Sequence, residues 1–527
     1  MPLTDVAKSG IILRIVKSKK FVWIRRKFMK KLIALFLCVI MCLPLFAACN
    51  DEEPVDTTGT AAENTPVTTN TKAGDTEDPD DSGRRTDWIK DVATNDWQQH
   101  TFKVLYPVID NAQTDFICNA PDGNTLNDQV YQRNTMVETM LNITIHTDAD
   151  TLGTYESVLQ SQYIAGKNDG DYDITVGDNR AAIKIALKGH LADIAQYDEV
   201  NVYRPYWDQD YVENIMIADS LYSLLGCYSV KANLFVSSIC FNKNLFKQNS
   251  YEEPYNLVRT YEWTVDKLLE YMDGFAKDID GDGYDKDKDI FALSGWATES
   301  AFGVFYGSGF TYCKNDGETI SVDYDRDFLD DVIDATLEVW ARSGVYYCDN
   351  QPSSNHSYPF DIFSSGRGLF CDIVLQKIGT FFSNMEDDYG ILPEPMLTSD
   401  QGRYYGYTGY TIPLLVIPRH DHNPERTGNI IEAICAASND VVIPKMFEIV
   451  TKLQNARDED SAEMIDIIIS NKIYDPAHWL SLSGYESLSR MMILESENIS
   501  SGYIKTYHDK AVRELDAFID AYDNLKG

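Results

Sequence analysis

The chain has few of the features that would announce catalysis. Across its 527 residues there is no GxSxG, HExxH or P-loop pattern, and its eight histidines are scattered without ligand spacing. Basic charge is scarce: 46 Lys and Arg stand against 82 Asp and Glu, a formal net charge of −36. Such a surface repels nucleic acid, which needs a basic footprint, and no nucleic-acid partner is expected. The ten cysteines form no CxxC. Cys38, Cys42 and Cys49 lie in or at the end of an apolar leader. The others, Cys118, Cys227, Cys240, Cys313, Cys348, Cys371 and Cys435, are isolated and odd in number, which excludes a complete disulfide framework within one chain and a zinc or redox motif. There is no internal repeat, and no catalytic residue is nominated.

What is present is ample core material. Hydrophobic residues make up 44% and aromatics 12%, with 32 tyrosines. The basic charge is concentrated at the start, where residues 1–48 hold ten Lys or Arg against one acid, Asp5. Arg25, Arg26, Lys27, Lys30 and Lys31 precede an uncharged run from Leu32 to Ala48, and Ala47-Ala48-Cys49 is followed by Asn50, Asp51, Glu52 and Glu53. Basic, apolar, small-small-Cys, acidic: this order resembles a bacterial lipoprotein signal. It implies a leader over 1–48, translation starting at Met29, a lipid on Cys49, and a place on the extracellular face of the cell membrane. Residues 49–87 are rich in Thr, Asp, Glu, Pro and Gly and read as a disordered tether, because they cannot bury enough apolar surface to offset chain entropy.

Beyond the tether, periodicity switches repeatedly between two and 3.6. Phe102–Tyr106, Asn142–His146 and Tyr172–Val176 read as strands, and 127–141, 155–165 and 180–188 as helices. The alternation predicts an α/β fold with a parallel sheet covered on both faces. Leu234–Phe241 reads as a buried strand. Thr264 is placed to cap a helix carrying Val265, Leu268, Leu269, Met272 and Phe275, and a further helix runs over 327–341. Gly368–Leu375 and Thr411–Ile417 read as later strands, and the chain after Val441 as mostly helical.

Local wording then adds a resemblance. Gly189-His190-Leu191-Ala192-Asp193-Ile194, Phe241-Asn242-Lys243-Asn244-Leu245-Phe246, Glu262-Trp263-Thr264-Val265-Asp266-Lys267-Leu268-Leu269, Phe363-Ser364-Ser365-Gly366-Arg367-Gly368-Leu369-Phe370 and Tyr389-Gly390-Ile391-Leu392-Pro393 occur in this order. The series resembles the extracellular solute-binding proteins of ABC importers, sugar-binding family 1. The resemblance implies a two-lobe, periplasmic-binding-protein-like class II fold with hinge strands. Lobe 1 is then 99–236 plus 394–440, lobe 2 is 237–393, and 441–527 is a C-terminal helical region packing on lobe 1. It also implies a monomer that binds a small-molecule solute, with a sugar expected, and delivers it to ABC transporter permease subunits. The alternatives are a secreted carbohydrate-active enzyme, for which no acidic pair is marked out by sequence, and a surface adhesin.

Sugars suit aromatic platforms flanked by directional polar groups. Asp178, Asn179 and Arg180 follow a strand's carboxyl end, where open α/β sheets bind ligands. Trp207 in Tyr206-Trp207-Asp208, Trp296 with Glu299, Arg367 between two glycines, Tyr410 and Trp479 complete the candidate set. Separately, Asp278 to Asp289 fits D-x-D-x-D-G with a carboxylate at the twelfth position. Oxygens from Asp278, Asp280, Asp282, the Tyr284 carbonyl and Asp289 would suit a structural Ca²⁺. Asp289 is shorter than the usual Glu, Lys286 stands at position nine, and the segment after the loop reads as a strand rather than a helix.

Overall fold

The computed structural model describes residues 87–107, 115–116, 121, 123, 125–150, 172–177, 179–348, 357–409, 412–453, 459–482, 485 and 501–525. The leader, Cys49, the tether and the helix expected over 155–165 lie outside them. Among the described residues no helix is long and apolar enough to cross a membrane.

Among the described residues the strands run β1 (His100–Pro107), β2 (Ile143–Asp150), β3 (Ile174–Gly177), β4 (Ser237–Asn242), β5 (Phe291–Trp296), β6 (Cys313–Asn315), β7 (Ile320–Val322), β8 (Val345–Cys348), β9 (Gly368–Val374), β10 (Tyr389–Leu392), β11 (Gly406–Tyr407), β12 (Leu414–Val416) and β13 (Lys472–Ile473). One sheet has the order β12-β3-β1-β2 and another β10-β4-β9-β5-β8; β11 with β13 and β6 with β7 form two small ribbons. In the first sheet β1 lies parallel to β2 in unbroken register from His100↔Ile143 to Pro107↔Asp150, and parallel to β3. The expected all-parallel sheet is corrected by β12, which returns antiparallel to β3. The second sheet is also mixed: β5 is parallel to β8 and β9, whereas β4 runs antiparallel to both β9 and β10. Periodicity marks a strand but not its direction, so neither reversal could be read from it.

Every residue of β4 and β9 is buried, as strands covered on both faces require. The helix Tyr358–Ser364 packs on β5 and β9, and the helix Ala297–Gly307 packs on β4, β5 and β9. The helix Val265–Met272 buries Val265, Leu268, Leu269 and Met272 as its spacing predicts. Thr264 does stand at its N-cap position, but its side chain makes no capping bond. The caps that do close are carboxylates and amides. Asp325 accepts from Asp327 N and Phe328 N, and Asn423 accepts from Arg426 N beside a first-turn proline. Asn242 caps the helix Lys243–Gln248 through Leu245 N, and its amide donates to Asp387 at 2.8 Å. That is a structural reason for the Phe241-Asn242-Lys243 wording.

Of the helices after Val441, Ile443–Leu453 packs on Thr125–Leu141, beside the first sheet, and Glu459–Ile469 packs on β10 of the second. Ser501–Asp523 packs on β7 and on the helix Asn179–Leu187. The six described cysteines, Cys227, Cys240, Cys313, Cys348, Cys371 and Cys435, are free and buried. They behave as small core residues.

Candidate functional site

Three candidate residues turn out to be framework. Trp207 is 1% exposed, and its indole N–H donates to Glu432 at 2.9 Å while the Tyr206 hydroxyl donates to the other Glu432 oxygen at 2.6 Å. Burial pushes the Glu432 carboxyl up to about 7, against the pull of the donors from Tyr206, Trp207 and Asn201. Trp479 is equally buried, edge-on to Tyr211 and Tyr474 with ring centroids 5.3 and 5.1 Å away. Neither indole offers a face to a solute. Arg367 is a latch: its guanidinium donates to the backbone oxygens of Lys286 at 2.6 Å and Asp289 at 3.3 Å, holding the Asp-rich loop. The glycine before it stops a helix. Gly366 has φ +74°, and the amides of Gly366 and Arg367 bond back to Phe363 and Ile362. An Arg between glycines therefore reads here as turn chemistry.

Asp178 and Tyr410 lie outside the described residues. Asn179 and Arg180 open the helix Asn179–Leu187, directly after the carboxyl end of β3.

Trp296 and Glu299 are brought together, with a partner that sequence reading missed. Trp296 ends β5, and Glu299 is in the first turn of the helix that follows. Lys377 is in the helix Leu375–Phe382, which follows the adjacent strand β9 directly. The carboxyl ends of two neighbouring parallel strands thus supply one cluster. The Lys377 ammonium stands 4.0 Å from the Trp296 ring centroid and 3.3 Å from a Glu299 oxygen. Lys377 and Glu299 side chains are 23% and 28% exposed, so the cluster is neither core nor open surface. An aromatic face, a cation and a carboxylate can together stack a sugar ring and bond its hydroxyls. The signal for Lys377 was positional, a basic residue one turn past a strand's carboxyl end, and it becomes visible only once β5 and β9 are known to be neighbours.

In the Asp-rich loop, Asp278, Asp280 and Asp282 bring carboxylate oxygens within 4.8 Å of one another. Asp289 stands apart from them: it is fully buried, and its oxygens accept from Ile279 N at 2.9 Å and Asp285 N at 2.6 Å. Lys288 reaches into the acidic loop, 2.9 Å from Asp280, 3.6 Å from Asp285 and 3.8 Å from Asp282. This ion pair holds the Asp280 carboxyl below its ordinary range, while Asp280 in turn raises Asp282. The Tyr284 ring packs on Phe291.

The fold is of the two-sheet, periplasmic-binding-protein-like α/β class. Within it the chain is similar to the sugar-binding protein MalE from Xanthomonas citri (TM-score 0.54, 13% identity, covering 80% of this chain and 98% of that one). It is also similar to a cyclo/maltodextrin-binding protein complexed with maltotetraose (TM-score 0.52, 12%, 81% and 97%). A third similar structure is an ABC transporter solute-binding protein from Thermotoga lettingae bound with α-D-tagatose (TM-score 0.51, 14%, 79% and 100%). No protein-family model and no curated protein matches the chain.

Proposed function

We propose that this protein is the solute-binding component of an ABC importer. In this reading it is held outside the cell by a lipid on Cys49, captures a carbohydrate between two lobes, and passes it to a membrane permease. The observation that carries the reading is the pair of separate mixed sheets, one from 100–177 with 414–416 and one from 237–392. It is supported by similar solved structures that are themselves named as sugar-binding proteins. The lobes divide as 99–236 plus 394–440 and 237–393. A ligand touching both lobes stabilises a closed arrangement only through its differential affinity. Within the second lobe the Trp296–Glu299–Lys377 cluster is the assigned subsite, and Asn179 and Arg180, at the start of the helix after β3, are the contributors proposed from the first. Every role named here is binding, and no bond is broken.

The test is calorimetry against a panel of mono- and oligosaccharides, with labelled-sugar turnover as the control for an enzyme. Trp296→Ala removes the stacking face and should weaken binding by about 1–3 kcal/mol with little change in the melting temperature of the sugar-free protein. Binding untouched by Trp296→Ala places the subsite elsewhere, and turnover replaces the reading with the hydrolase alternative.

The Asp-rich loop is proposed as a structural Ca²⁺ site, with Asp278, Asp280 and Asp282 as ligands and Lys288 displaced when the ion enters. Chelator should lower the melting temperature of the wild type and leave Asp280→Ala unchanged. Equal melting with and without chelator leaves Lys288 as the loop's own counter-ion.

A further inference from the structure

The chain enters the second sheet at Ser237 and leaves it after Leu392. The two passages run together. Val236 bridges antiparallel to Thr408, and the Ser237 hydroxyl accepts from Tyr407 N at 3.0 Å. Beside them lies Glu394, between Pro393 and Pro395, and opposite it Asp372 of the central strand β9. Glu394 is 0% exposed and Asp372 is 3% exposed. Both oxygens of Glu394 and Oδ2 of Asp372 are buried without a donor. The helix Ala297–Gly307 is pressed onto them. A Cβ on Gly303 would lie 2.6 Å from Glu394 Oε1 and 2.9 Å from Asp372 Oδ2, so the two oxygens converge on one bare patch of helix. On Gly307 a Cβ would lie 2.9 Å from Glu394 Cβ.

Two carboxylates brought so close in a dry site cannot both stay ionised. No basic side chain among the described residues pairs with either. From the helix Ala297–Gly307 come Glu299, a further negative charge already tied to Lys377, and Ser300. From β4 come Ser237 and the Cys240 thiol, and from β9 the Cys371 thiol; burial raises both thiols, which stay neutral. The Ser300 and Ser237 hydroxyls stand nearest Asp372 and Glu394, beyond ordinary hydrogen-bond reach of the bare oxygens, and neither puts a hydrogen between the two carboxyls.

We propose that Asp372 and Glu394 share a proton, and that this proton binding site ties the joint between the two sheets to pH. With the proton present, one carboxyl donates and the other accepts, which accounts for two of the three bare oxygens; the third, on Glu394, is left to the nearby Ser237 hydroxyl. With it removed, two negative charges face each other under the helix, and the crossing at Pro393–Pro395 is pushed outward. Burial moves Asp372 up to about 7, and burial with the charge of Asp372 moves Glu394 well above the usual carboxylate range. The sign follows. The folded pair holds its proton more tightly than the unfolded chain, whose carboxyls titrate near pH ~4. Its contribution to stability is complete below that pH and is lost as pH rises through the folded value.

The experiment is urea unfolding of the wild type, Glu394→Gln and Asp372→Asn between about pH 5 and about pH 9. Either amide supplies the missing hydrogen without titrating. The wild-type folding constant should fall by up to about tenfold per pH unit relative to the variants from about pH 5 upward, and level off once the folded pair has given up its proton. Infrared spectra at about pH 8, where Glu432 at about 7 is mostly ionised, should keep a protonated-carboxyl band in the wild type and lose it in Glu394→Gln. Parallel pH profiles in all three proteins overturn the proposal. If neither variant folds, the wild-type infrared band decides alone: its absence at that pH overturns the shared proton.

Discussion

Trp207→Ala is expected to cost about 3–5 kcal/mol of unfolding free energy, the scale of removing a buried Trp. The indole is 1% exposed and tilts against Tyr206 and Tyr228 with centroids 6.1 and 6.5 Å away. The space it fills is tight: a Cβ on Gly226 would meet its ring at 2.8 Å. The cavity left by Ala cannot collapse easily, and Glu432 loses one of its donors. Trp207→Phe separates the two effects. It keeps most of the volume but leaves a buried carboxyl short of a hydrogen bond, about 1–3 kcal/mol. Denaturation midpoints at unchanged m-value measure both. A loss below about 1 kcal/mol for Ala, with a lost sugar affinity instead, would return Trp207 to the ligand-binding set.

Lys472→Met should be comparably severe, about 3–5 kcal/mol, because it breaks a buried ion pair from one side. Lys472 and Asp208 side chains are 7% and 9% exposed, and the ammonium lies 2.7 Å from Asp208 Oδ2. The Tyr474 hydroxyl donates to that same oxygen at 2.8 Å, and Oδ1 accepts from Tyr211 N to cap the helix Gln209–Ile215. Removing the cation strands a carboxylate that two elements depend on. Asp210, next in line, is already pushed up to about 6 by burial and by the charge of Asp208. A second substitution gives the mechanism a signature, because neutralising Asp208 removes the uncompensated charge. Adding Asp208→Asn to Lys472→Met should recover part of the loss. A double variant no more stable than Lys472→Met would mean that packing by the lysine stem, not its charge, is what the fold uses.

These two sites show where sequence reading stopped. The strands at 102–106 and 172–176 and the helices at 265–272 and 326–340 were legible, because each is fixed by residues within a few positions of one another. β4 was legible as a buried run and β12 as a strand, but neither as reversed, since direction is decided by a partner far along the chain. The site residues divide the same way. Trp296 and Glu299 are near neighbours in sequence, and their pairing was readable. Lys377 reaches them only through the β5–β9 register. Trp207 and Trp479 carry the same composition signal as a sugar platform, and only Glu432 and Tyr211, arriving from elsewhere, make them core. Nothing in the sequence paired Asp372 with Glu394, because an acid in an acidic chain is noticed only when its surroundings are known to be dry.

The distant return of β12 has a consequence for how the molecule is made. The first sheet holds β1, β2 and β3 early, yet β12, antiparallel to β3, emerges only after every strand of the second sheet. The second sheet, for its part, has β10 covered by the helix Glu459–Ile469, which emerges later still. The first sheet is not complete when its own early stretch of chain has been synthesised. β3 waits with an open edge for a strand delivered from beyond the second sheet, and such non-local closure is slow and exposed to misassembly. A chain interrupted anywhere between 392 and 414 therefore carries one sheet with all its strands and one still short of its last.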